Sequence, residues 1–385
     1  MIATAGDEVA SLIPMPTSGE LSLYVHIPFC TYKCPYCHFY VIQDKESLKD
    51  QLLKGLLTEM TSWEEHVQDR KIVSVYFGGG TPSLFGPKRI EALLNHIEPD
   101  GDCEVTIEAN PENITSELMR DYLQAGINRV SIGVQSFDDG ELSLLGRRHE
   151  ASKAEKAIHT TFEAGCKNIS IDLMYEVPRQ TITSWDKTLH RVATLPITHL
   201  SLYNLQIEPY TPFAKRESEL RKLMPDDETG AAMYREAISQ LAKIGLQQYE
   251  ISAFCRDGLY SRHNVGYWIG REFLGLGPSA FSYYEGERFQ NVANLVRYCK
   301  ALEAGGSPID FRDEVTPGKR VRELLAIGLR LNQGIDLSRW HPLDGETQKA
   351  IQVLVNQGLL QENAQHIALT EKGILFYDLV ASEII

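Results

Sequence analysis

Long apolar runs are missing from this chain, and none approaches the roughly 18 residues that a membrane-spanning helix needs. Its opening segment, MIATAGDEVASLIPMPTSGE, has neither a basic start nor a continuous apolar stretch, so it does not read as a secretion signal. Positive charge is scarce too: Lys and Arg total 38 against 52 Asp and Glu, a formal charge of −14. That balance leaves no basic footprint for phosphates, so nucleic acid is not an expected partner. Internal repeats and low-complexity segments are absent. Cysteines are few and odd in number, seven in 385 residues, which argues against a disulfide framework and for reduced thiols, metal ligands or core packing. These absences point to the cytoplasm.

What is present is 43% hydrophobic and 23% charged residues, enough for one large domain and smaller ones beside it. From residue 21 onward, short apolar runs alternate with amphipathic segments. LSLYVHI precedes ESLKDQLLKGLLTEMTSWEEHV, IVSVYF precedes PKRIEALLNHI, and CEVTIEA precedes TSELMRDYLQAG. RVSIGV, NISIDLMYEV and THLSLYNLQI continue the rhythm. Six β-rich runs separated by helices imply parallel strands with right-handed crossovers, closed or nearly closed as an α/β barrel of the (β/α)6 kind; an open doubly wound sheet is the alternative. The barrel is favoured by where polar residues fall. Gly78-Gly79-Gly80-Thr81, Glu108-Ala109-Asn110, Gln135, and Asn204 with Gln206 sit at successive strand ends, and Asp172 lies within the fifth strand. That carboxyl end is where parallel barrels build their sites.

Three of the seven cysteines, Cys30, Cys34 and Cys37, fall in CTYKCPYC directly after the first strand. Thiolates suit zinc or iron–sulfur clusters. A closed zinc site wants a fourth ligand, for which His38 is awkwardly adjacent to Cys37. Three thiols on a four-iron cube leave one iron open to a small chelating substrate. The remaining Cys103, Cys166, Cys255 and Cys299 are scattered singly and read as buried apolar residues.

CTYKCPYC, YFGGGTPS, IEANPE, GVQSF and IDLMYEVPRQ, in that order, resemble the radical S-adenosylmethionine (SAM) proteins of the coproporphyrinogen dehydrogenase group, over nearly the whole chain. The resemblance implies an incomplete (β/α)6 barrel with a [4Fe–4S] cluster on the three cysteines and SAM on the open iron. It assigns SAM contacts to Gly79, Gly80 and Thr81 near the methionine part, to Glu108 and Arg147 at its ammonium and carboxylate, and to Gln135 and Asp172 at the ribose and adenosyl part. Gln206 and Phe281 fall at further SAM-lining positions, and Tyr24 and Tyr36 are aromatic walls beside the cluster. GLGPSA, at residues 275–280, reads as a loop near the adenosyl group rather than a dinucleotide fingerprint.

Dehydrogenase members of this group have a fourth cysteine two residues after the third, where this chain has Phe39, and a longer leader. RHNVGYW, residues 262–268, matches the H-N-x-x-Y-W signature of the HemW-type heme chaperone branch. The match implies heme contacts from His263, Asn264, Tyr267 and Trp268, with His263 as an axial ligand. Read as residues alone, the same motif makes local hydrogen bonds and fills a core. The implied partners are heme or another porphyrin and apo-hemoprotein clients, in the cytoplasm or peripherally at the inner membrane, with room for a homodimer. An oxygen-independent coproporphyrinogen III oxidase, or a related methyltransferase, is the enzymatic alternative.

The expected organisation is a leader over 1–20, the partial barrel over 21–208, an extension carrying the HNxxYW segment over 209–316, and a mainly helical, winged-helix-like domain over 317–385. GETQKAIQVLVNQG in the last domain offers one Lys and no Arg to a DNA groove, so that domain reads as a packing lid.

Overall fold

The computed structural model describes residues 13–340 and 342–385. Of the leader expected over 1–20, residues 1–12 lie outside the described residues. Six strands, β1 (Glu20–Ile27), β2 (Lys71–Gly79), β3 (Glu104–Ala109), β4 (Arg129–Gln135), β5 (Asn168–Tyr175) and β6 (His199–Asn204), lie side by side in chain order, each parallel to the next. Their sequences alternate: Leu21, Leu23, Val25 and Ile27 of β1 pack into the core while Ser22, Tyr24 and His26 between them point to the opposite face, and the other strands repeat the pattern. Between them run helices such as Glu46–Val67 and Pro87–Ile97, at the limits the amphipathic pattern indicates. In the first, Leu52, Leu56 and Met60, spaced by four, face the sheet and are buried, each contributing roughly 1.5–3 kcal/mol. This is the partial barrel expected from the alternating runs.

The sheet is wider than the sequence suggests, with twelve strands. The segment Glu272–Leu276 is a seventh parallel strand, paired with β1 along Leu21 to Val25. GLGPSA is therefore the end of this strand and the turn after it, and its residues are not among those lining the cysteine cleft. Beyond it, Phe281–Tyr284, Glu287–Asn291 and Ile309–Glu314 continue antiparallel. At the opposite edge Ala253–Cys255 and Gln247–Glu250 add an antiparallel ribbon to β6.

The helix Arg262–Trp268, which carries the HNxxYW motif, closes the barrel floor at the amino ends of the strands. Ser261 caps it. Backbone N–H groups of Arg262 and His263 donate to the carboxylate of Glu104, the first residue of β3, at 3.0 and 3.1 Å.

The C-terminal module has its own core around Leu325, Leu354 and Ile367 and a three-stranded wing in which Ile335–Asp336 pairs with the hairpin 360–369. Its last helical stretch is broken at Phe376 into Glu371–Leu375 and Tyr377–Ile384. The module packs against the floor helix and the Gln247–Glu250 edge, through Ile251 N–H to Arg330 C=O at 3.1 Å and Asn332 N–H to Tyr249 C=O at 3.0 Å. None of its described residues lines the cysteine cleft. It is a base beneath the barrel, not a lid over its mouth.

Candidate cluster and SAM site

Past the end of β1 the chain turns outward at Pro28, and Phe29–Cys30 pairs in parallel with Ile42–Gln43. The loop between them, which carries Cys34 and Cys37 after Cys30 on the paired segment, is pinned at several points. Cys37 N–H donates to Cys34 C=O (3.1 Å), Phe213 N–H to Pro35 C=O (3.1 Å), and Lys33 Nζ to Phe39 C=O (3.0 Å). From below, the Tyr24 hydroxyl meets His26 Nδ1 at 3.0 Å, and His26 Nε2 meets Tyr40 C=O at 3.0 Å. Burial drives the His26 pKa down to about 4. The ring is thus neutral and carries one proton, which bonds the carbonyl while its other nitrogen accepts from Tyr24. Tyr24 therefore props the cysteine loop from inside the barrel rather than walling the cleft.

Cys30, Cys34 and Cys37 line one cleft of about 420 Å³ at the carboxyl ends of β1–β6. Gly79, Gly80, Thr81, Glu108, Gln135, Arg147, Asp172, Tyr36 and Gln206 line it as well. Residues from six strand ends, scattered over 177 positions of sequence from Cys30 to Gln206, counting both, converge there. Phe281 does not join them: it is 46% exposed on an antiparallel strand outside the cleft. His38 and Phe39 stack at 4.6 Å on the rim, and Phe39 is 55% exposed.

The glycines serve packing first. A Cβ on Gly79, whose φ is +112°, would lie 2.6 Å from the His26 ring, and one on Gly80 would lie 2.6 Å from the Phe29 carbonyl oxygen. Gln135 has φ +71°, the left-handed region that non-glycine residues avoid, at the point where the β4–β5 register slips. Such strain is kept where a side chain must be aimed.

Asn110, which sequence reasoning noted only as a strand-end residue, ties the site together. Arg147 Nη2 donates to Asn110 Oδ1 (2.6 Å) and to Gly133 C=O (2.7 Å); Asn110 Nδ2 donates to Thr81 Oγ1 (2.9 Å), which is 3.4 Å from Cys30 Sγ. Arg147 Nη1 also donates to Cys34 Sγ at 3.6 Å. The available signal was the two-residue spacing from Glu108, which puts both side chains on one face of the strand end.

Desolvation dominates the electrostatics of the cleft. Burial raises Glu108 to about 7, with Asp172 adding to the effect, although the Tyr76 hydroxyl (2.8 Å) and Gly79 N–H (3.2 Å) bond its carboxylate. Burial likewise raises Asp172 to about 6. Cys30 is pushed up to about 11 and Cys37 upward, both by desolvation. Arg147 Nε is buried without a partner among the described residues. Two half-buried carboxyls, an arginine with a spare donor and three thiols fit an amino-acid-bearing cation beside an iron–sulfur cluster.

The heme-facing expectation for the HNxxYW helix is corrected by the fold. His263 is 1% exposed, its Nδ1 bonded to Ser74 Oγ (3.0 Å) and its Nε2 to Tyr267 OH (2.8 Å), with its ring stacked on Tyr76 at 4.9 Å. Burial lowers its pKa to about 3. Both nitrogens being engaged inside the barrel, it is not displayed as an axial ligand. Tyr267 packs edge-on to Phe273, and Asn264 sits in the first turn. Only Trp268, at the helix end, reaches a cleft, on the side away from the cysteines.

Two family models match the chain: the Radical SAM superfamily over residues 24–192 and the HemN C-terminal domain over residues 315–376. The chain is 32% identical to "Heme chaperone HemW" of Bacillus subtilis, over 92% of this chain and 96% of that protein. It is 34% identical to the protein of the same name from Haemophilus influenzae, over 94% and 97%. A zebrafish relative, "Radical S-adenosyl methionine domain-containing protein 1, mitochondrial", is 32% identical over 92% of this chain and 83% of its own length. Among solved structures, the coproporphyrinogen III oxidase HemN of Escherichia coli superposes with a TM-score of 0.83 at 26% identity, covering 98% of this chain and 92% of that one. With full-length relatives of this similarity and a three-thiol cleft built as described, the chain belongs to the HemW heme-chaperone family of the radical SAM superfamily.

Proposed function

We propose that this protein is a heme chaperone: it holds a [4Fe–4S] cluster and SAM at the barrel mouth, binds heme, and delivers it to apo-hemoproteins. The observation that carries the reading is the mouth itself, where three thiols share a cleft with paired carboxyls while exposed Phe39 stands at the position of the dehydrogenases' fourth cysteine. With cluster and SAM bound, one-electron chemistry becomes available at the SAM sulfonium.

In this reading Cys30, Cys34 and Cys37 hold the cluster. Glu108 takes the ammonium of SAM and Arg147 its carboxylate, a guanidinium already aimed by Asn110 and Gly133. Gln135 and Asp172 take the ribose and adenosyl part, and Tyr36, packed edge-on against Phe213, walls the cluster side. A homodimer and delivery at the inner membrane face are parts of the proposal that rest on the sequence resemblance. No described helix is long and apolar enough to cross a membrane. Sedimentation velocity and vesicle flotation test these two parts.

Anaerobically reconstituted protein is expected to carry stoichiometric iron and acid-labile sulfide, to bind hemin, and to transfer it to an apo-hemoprotein. It should form no protoporphyrinogen from coproporphyrinogen III, SAM and reductant. Formation of that product would replace the chaperone reading with the oxidase one.

A further inference from the structure

The barrel mouth accounts for cluster and SAM, and His263 is sealed in the barrel, so the iron of a carried heme needs another home. A second cleft, of about 390 Å³, opens on the far side of the floor helix, between it and the C-terminal module. Its volume lies in the range of small-molecule sites. Trp268 and Trp340 line it together with aliphatic side chains and the exposed Asp336 at the wing edge, and the paired tryptophans suit a flat aromatic macrocycle. Arg330 covers one region of the Trp268 ring at 4.4 Å.

Two buried polar atoms on its lining residues, Trp268 Nε1 and Gln333 Oε1, have no hydrogen-bond partner among the described residues. Orphaned groups of this kind mark a place where a ligand or water completes the bonding. Arg339, exposed at the wing, supplies a cation for a carboxylate. His366 and Met15 also border the cleft, and imidazole and thioether are both ligands for porphyrin iron.

We propose that the porphyrin cargo sits in this cleft, stacked against Trp268 and Trp340, with its iron on His366 and a propionate on Arg339. The inference rests on the heme-chaperone reading and gives it a place. It also explains the HNxxYW helix physically, since His263 anchors one end in the barrel so that Trp268 at the other end is held at the cargo.

The test is an anaerobic hemin titration of the full-length, cluster-loaded protein, followed by the Soret band, with circular dichroism and cluster absorbance confirming that each variant is folded. His366→Ala should move the Soret band and weaken uptake by about tenfold or more. Arg339→Glu should weaken uptake several-fold without moving the band. Because both residues are exposed, loss of folding is not expected to obscure the result. A His366→Ala spectrum identical to wild type, with the band lost instead on His38→Ala, would put heme at the mouth and overturn the inference while leaving the chaperone reading intact. Failure of the wild type itself to take up hemin would remove both.

Discussion

The mouth and the floor of the barrel are built from the same polar residue types, yet they are finished to different degrees. At the floor, His263 has both nitrogens bonded, Glu104 accepts two backbone N–H groups, and Ser22 and Ser74 bond each other at 3.0 Å. At the mouth, Arg147 has a spare donor, Glu108 and Asp172 are half-buried carboxyls with raised pKa values, and Gln135 is held in a strained backbone region. The floor is not wholly finished, since Arg129 Nε at the start of β4 and Trp268 Nε1 on the floor helix are also buried without a partner among the described residues; what sets the mouth apart is that its spare donor and its carboxyls share one cleft with the three thiols. The difference separates scaffold from site more sharply than residue type does, since a histidine in a family signature turns out to be scaffold.

The largest effect that can break this comparison is loss of a thiol. Cys34→Ala should reduce iron and sulfide after reconstitution to near background, while the melting temperature of the unloaded protein barely moves; retained cluster would mean the cleft has another ligand set. The converse holds at the floor. His263→Ala is expected to cost about 2–4 kcal/mol in urea unfolding, from the cavity and from stranding Ser74 and Tyr267, with iron per folded chain unchanged.

A third test uses pH. His263 titrates near 3 when folded, below its unfolded value of about 6.5. Its contribution is therefore fully present above about 6.5 and is lost as pH falls toward 3, by up to about 1.4 kcal/mol per unit. Glu108 has the opposite sign: raised to about 7 when folded, it contributes stability below its unfolded value that is lost as pH rises through 7. In unloaded protein, unfolding across pH 4–8 should show His263→Phe removing the acid-side loss and Glu108→Gln removing the neutral-side loss; equal slopes in both variants would erase the distinction. The smallest expected effect is at the rim. Phe39→Ala should change stability by less than about 0.5 kcal/mol, because that ring is exposed, and thermal melts of unloaded protein would show it.

Much of the barrel was legible because its signals are local. The helix Glu46–Val67 follows its apolar spacing, and β1–β6 are runs of β-branched and aliphatic residues between caps and turns. The cysteine cleft was legible for a related reason: strand ends fix which end a residue occupies, and a parallel barrel gathers those ends. Three things were hidden because they depend on tertiary placement. Tyr24 bonds His26: the period-two alternation of β1 puts it on the inner face with Ser22 and His26, but not at which depth, and depth is what decides between wall and prop. The floor position of helix 262–268 depends on Glu104, some 160 residues earlier in the chain. Phe281 belongs to a sheet extension whose pairing is antiparallel and non-local.

Gly80 shows how narrow the fit of the cluster loop is. Its N–H bonds Ile27 C=O at 2.8 Å, the next N–H bonds Phe29 C=O at 2.7 Å, and the space where a side chain would begin is filled by the backbone of Pro28 and Phe29. The segment delivering the first thiol is laid directly on a residue that touches no metal. Cofactor loading thus answers to the width of a single methyl group on the neighbouring strand's exit, a gauge set in backbone rather than in any side chain.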